Sequence, residues 1–192
     1  MLLLHQTLVV AAFCAISLCT SAQVPAVAEI NVDLRRELLS LRELDQAARA
    51  AKPLDAQRLR EVDAKNTARL REIIATYGWP AKSLVGEDGA AAAWLLAQHA
   101  DQDLNFQRRV LTLIEPLALR DEVSITLYAY LYDRTHRPQR YGTQGTCVAN
   151  GVWEPREIED PVSVDSRRAE AKITPVRLSE YAALVGDRSC RK

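Results

Sequence analysis

From Asn31 to Tyr77, apolar residues return every three or four positions, and two proline-centred breaks cut the run. Leu34, Leu38, Leu41 and Ala48 form one stripe. Lys52-Pro53 ends it, because proline disfavours helix in the residue before it. Leu59, Val62, Leu70, Ile73 and Tyr77 form a second stripe, beginning at about Asp55, and Gly78-Trp79-Pro80 stops it. Two amphipathic helices with a tight connection predict an antiparallel hairpin. Asn66 sits on the second stripe with Asp63 beside it. A polar residue on a core face costs free energy unless it is hydrogen-bonded. Asn66 is therefore either an amide that satisfies a loop backbone or the wall of a ligand pocket.

SLVGEDGAAAAWLLAQHADQDLNFQRRVLTLIEPL follows, with Asp88 or Ser83 as a cap and an alanine run that favours helix. Leu95, His99, Gln102, Phe106 and Leu113 lie near one stripe, so His99 points toward the core side. The pattern leaves open whether this is one helix or two joined near Asp101. Val123–Tyr132 (VSITLYAYLY) is apolar nearly all round, as a central buried helix would be, although its β-branched and aromatic content also suits a strand. Asn150-Gly151 is a strong type I′ turn signal. Counting outward pairs Val148 with Trp153, Cys147 with Glu154 and Thr146 with Pro155, in a hairpin over about 141–158. Two short helical pieces, from Asp165 and from Pro175 to Val185, complete the tail. The expected fold is mainly α: a single-domain helical bundle over 31–192 with a small β-hairpin near the C-terminus.

The amino terminus reads as an address. MLLLHQT precedes the apolar run Leu8–Cys19 and then TSAQVPA, a secretory pattern too short to span a bilayer. Cleavage is expected after Ala22, with 23–30 a disordered lead, although the first residues hold no Lys or Arg. The mature chain, about 170 residues, is long enough to bury a proper core. It is expected to be soluble and periplasmic or secreted, with no integral membrane segment. Lys plus Arg and Asp plus Glu balance at 25 each, which argues against nucleic acid as a partner. Cys147 and Cys190 remain after cleavage, and in an oxidising compartment they are expected to pair.

No Gly-rich phosphate loop, HExxH, G-x-S-x-G or paired CxxC is present. Three weaker constellations remain. His99, next to Asp101 in Gln98-His99-Ala100-Asp101, has the chemistry of a general base held in one tautomer by a carboxylate, Asp101 or Asp133. His99 and Asp103 also stand at i, i+4, the spacing of two metal ligands. The third ligand would have to come from Asp133 or His136, and no metal or other cofactor is expected. Asp133-Arg134 leaves the apolar run as a charged pair, and Arg134 facing a cavity would hold a carboxylate or phosphate. The loop Arg137–Gln144 supplies Gln139, Tyr141, Gly142 and Gln144, with uncharged donors and acceptors beside a glycine. Against a ligand, the other hairpin arm carries Glu154, Glu157, Glu159 and Asp160, which would neutralise the basic loop internally.

YGWP (77–80), SLVG (83–86), AAWLLAQHAD (92–101), YAYLYDR (128–134), QRYGTQ (139–144) and VDSRR (164–168) occur in that order. Together they resemble a family of bacterial domains, many of them exported, that carries no assigned function. The resemblance spans about Asp63 to Tyr181 and implies one domain to which these motifs belong together. It implies no substrate. The helix at about 31–51 and the Cys147–Cys190 pair lie outside the shared motifs, as features expected to be particular to this chain. The chain thus reads as an exported, non-catalytic binding or interaction module of the envelope, with a small molecule or an envelope protein as its partner. The alternative is a hydrolase-like or ligand-binding pocket, built on His99, Asp133, Arg134 and the 139–144 loop, for a polar or anionic small molecule.

Overall fold

The computed structural model describes residues 29–191; the expected signal peptide and most of the lead lie outside them. Seven helices and one antiparallel hairpin follow in order among these residues. Helix α1 spans Val32–Ala50 and α2 spans Ala56–Tyr77. Asn31 and Asp55 cap them, each side chain accepting from backbone N–H groups of the first turn. Gly78, at φ 73°, closes α2 where a side chain would be strained.

Helix α3 (Lys82–Gln98) is kinked at Gly86 and starts without help from its own side chains. Neither Ser83 nor Asp88 caps it. Instead Glu122 reaches across, its carbonyl accepting from Lys82 N–H and its carboxylate from Ser83 N–H. Asp88 is drawn off by Arg35, whose guanidinium holds its carboxyl down at about 2. The stretch through Asp101 resolves into two helices, with α4 running Leu104–Ala118 and capped by Asp103. The apolar run forms a helix, α5 (Ile125–Thr135).

Strands β1 (Gly145–Ala149) and β2 (Val152–Pro155) flank the Asn150-Gly151 turn, but the register differs from a plain two-residue hairpin. Ala149 pairs with Val152, yet Cys147 pairs with Trp153, Thr146 with Glu154 and Gly145 with Pro155. Val148 is an extra residue, a β-bulge, so every pair beyond it shifts by one. Trp153 is buried, and its ring meets Tyr181 edge-on at 5.7 Å. Helices α6 (Val164–Glu170) and α7 (Leu178–Ser189) follow. The Cys147–Cys190 disulfide ties β1 to the end of α7.

The main core packs Leu34 and Leu38 of α1 against Leu70 and Ile73 of α2, Val85 and Leu96 of α3, and Val110 and Ile114 of α4. Leu131 of α5 joins it. A smaller cluster around Trp153, Tyr181 and Cys190 welds α7 to the hairpin. Gly186 permits that contact, since a Cβ there would lie 2.4 Å from the Gly151 carbonyl oxygen. No described helix is long and apolar enough to cross a membrane.

Candidate functional site

Asp133 sits in the last turn of α5 with no exposed surface. Its two oxygens accept from the N–H groups of Arg140, Tyr141 and Thr143 at 2.8–3.2 Å, and from the Thr143 hydroxyl at 2.9 Å. The loop is thus wound around one carboxylate. Gln139, also sealed, donates to the carbonyls of Gln144 and Arg156 and accepts from Gln144 N–H. Gly142 takes φ 67° in the same turn, and a Cβ there would come within 2.8 Å of Leu178. Burial pushes the Tyr141 hydroxyl up in pKa, and its ring meets Tyr132 edge-on.

Under the loop lies Arg168, fully buried, donating to the carbonyls of Val176, Tyr141 and Pro175 at 2.7–2.8 Å. Its guanidinium stacks 4.4 Å over the Tyr181 ring, and burial lowers its pKa. No carboxylate lies within ion-pair distance of it among the described residues.

Arg134 turns the other way. It forms a two-pronged pair with Asp101, and its Nη1 donates to Gln144 at 3.3 Å. The three stretches QHAD, YLYDR and QRYGTQ therefore meet, at a half-exposed junction of Asp101, Arg134 and Gln144. The acidic arm neutralises only part of the basic loop: Glu159 lies 3.5 Å from Arg140, whereas Arg134 draws its partner from the turn after α3.

His99 ends α3, and its ring faces α1. Its partner is Asp45, not Asp101 or Asp133: Nδ1 lies 2.9 and 3.0 Å from the two Asp45 oxygens. Asp101 is held by Arg134 and Asp133 by the loop. Asp45 is wholly buried, while the His99 side chain keeps 21% of its surface. Nδ1 is assigned as the N–H, because both facing oxygens are acceptors. Arg49 completes the cluster, 3.0 Å from Asp45 and 2.9 Å from Asp63 on α2. Burial works against the Asp45 charge, but hydrogen bonds from His99 and Gln46 and the nearby positive charges outweigh it and lower its pKa.

Asp103 does not join His99: it caps α4 and pairs with Arg71. Among the described residues no group of three His, Cys, Asp or Glu side chains is placed to hold a metal ion. Asn66 stands apart, lining a groove of about 320 Å³ between α1 and α2.

Asp45 and Arg168 were absent from the sequence-derived set. Asp45 had a legible signal. It falls on the α1 stripe between Leu41 and Ala48, where the period calls for an apolar residue.

No curated protein and no solved structure matches the chain. One family profile, that of a family of unknown function designated DUF6624, matches residues 32–192. The match reaches past the 63–181 span of the shared motifs and takes in α1, which is therefore part of the family domain rather than an addition to it. The chain belongs to this family of unknown function.

Proposed function

We propose that this chain is an exported, non-catalytic binding module of the cell envelope, in which the polar residues of the shared motifs act as internal struts. One observation carries the reading: Asp133 is fully buried and its oxygens are taken up by four donors of its own chain. A carboxylate committed in this way has no free lone pair with which to move a substrate proton. Gln139 and Arg168 are consumed likewise. The apolar leader and the Cys147–Cys190 bond support export, since disulfides persist in oxidising compartments.

The test compares the wild-type chain with His99→Ala and Arg134→Ala. His99→Ala is expected to lower Tm by several degrees, because it removes one of the donors that hold the buried Asp45 carboxylate. Arg134→Ala should lower it less, since that pair is half exposed. The wild type should hydrolyse no member of an ester, phosphoester and glycoside panel above buffer. Turnover that disappears in His99→Ala at unchanged Tm would overturn the reading.

The Asp45–His99 pair favours a second reading, a hydrolase-like pocket. A carboxylate on Nδ1 leaves Nε2 as the proton acceptor, the arrangement a general base requires. This reading predicts turnover of a polar or anionic ester with kcat lost in Asp45→Asn. A flat panel disposes of it.

A further inference from the structure

We propose that the groove between α1 and α2 binds a free monocarboxylate with an apolar body, of medium-chain fatty-acid type. The proposal rests on the binding-module reading and supplies its ligand class. Leu41 and Leu44 of α1 and Val62 of α2 form the apolar walls. Leu44 stays 54% exposed, a large apolar side chain open to solvent. Arg58 and Lys65 stand on the rim, two turns apart on α2. Neither is in an ion pair among the described residues, whereas Arg69 at the same groove is already held by Glu37 and Glu72. The groove therefore carries uncompensated positive charge beside exposed apolar surface.

Asn66 adds an independent pointer. It is 4% exposed, lines this groove, and its Nδ2 has no acceptor among the described residues. A buried amide N–H₂ without an acceptor is disfavoured, and a carboxylate entering the groove would provide one. The chemistry called for is thus one anionic acceptor group joined to an apolar segment. Size sets the class further. About 320 Å³ lies at the small end of ligand sites, and suits one medium chain rather than a two-chain phospholipid.

Titration calorimetry on the purified chain, with sodium decanoate as probe, tests this. Decanoate should bind one per chain, and an Arg58→Glu/Lys65→Glu variant should bind at least tenfold more weakly. Both positions are exposed, so that variant should keep its Tm. Leu44→Asp should weaken binding to a similar degree, and Asn66→Leu several-fold. Decyltrimethylammonium should not bind, and decanol should bind at least tenfold more weakly than decanoate. The proposal is overturned by absence of decanoate binding, by charge-reversed protein binding within twofold of wild type, or by decanol matching decanoate. Anionic phosphatidylglycerol vesicles that capture the chain and exclude decanoate would also overturn it, in favour of a membrane surface. Ester turnover by the wild type would end the non-catalytic reading and leave these binding results standing. Loss of decanoate binding alone would end the groove proposal and leave the strut reading intact.

Discussion

At the scale of single residues, buried charges are matched by dedicated partners, and each partner set makes a distinct prediction. Asp45 is held by His99, Gln46 and Arg49, with its pKa depressed. A carboxyl whose folded pKa lies below its unfolded value contributes stability that is present above about pH 4 and is lost as pH falls through the folded value. Wild-type stability should therefore fall on acidification below about pH 4. Asp45→Asn should flatten that slope and cost about 3 kcal/mol at neutral pH by leaving Arg49 underpaired, as urea unfolding across a pH series would read. Arg168 offers a different case. Its planar fork spans three carbonyls on two segments, Tyr141 in the loop and Pro175-Val176 before α7, which a lysine ammonium cannot reproduce. Arg168→Lys should cost about 2 kcal/mol despite keeping the charge, measurable as a lowered urea midpoint. Asp45 was legible as a charge on an apolar stripe. Arg168 was not, because its partners are backbone carbonyls, and carbonyls leave no mark in a sequence.

Among the elements, local chemistry was readable wherever the cause was local. Asn31 and Asp55 cap helices, Gly78 ends one, and the periodicity of α1 and α2 matches the observed cores. Where a distant residue intervenes, sequence reasoning failed. Glu122 caps α3 in place of Ser83 or Asp88, and the Val148 bulge shifts the hairpin register although the Asn150-Gly151 turn stands. Trp153 packs on Tyr181 of α7, a contact no strand pattern encodes. The hairpin then depends on α7. Gly186→Ala drives a methyl into the Gly151 carbonyl, so it should lower Tm by several degrees while leaving far-UV helicity largely intact. The disulfide, with a sequence separation of 43 between its cysteines, should contribute about 4 kcal/mol in the chain-entropy account. Cys147→Ser with Cys190→Ser reports it by urea unfolding.

For the whole molecule, the candidate site looked like one pocket in the sequence and becomes three places in the structure. Asp133, Gln139 and Gly142 build a loop; Asp101, Arg134 and Gln144 bridge it to the end of α3; His99 turns to α1. The motifs do meet, but they meet largely to hold one another. The proposed export belongs to this scale as well. Expression with the leader intact should yield a periplasmic or secreted chain beginning at Gln23, and its intact mass should be two hydrogens short of the reduced value, as mass spectrometry before and after reduction would show.

The central claim, that the motif polar groups are struts, rests most heavily on Asp133. Asparagine keeps its shape but turns one acceptor into a donor facing Thr143, whose N–H and hydroxyl both now donate there. Equilibrium urea unfolding of Asp133→Asn is the most direct measurement. The account predicts a loss of about 3 kcal/mol at unchanged m, the cost of leaving buried donors without an acceptor. A variant as stable as wild type would contradict it.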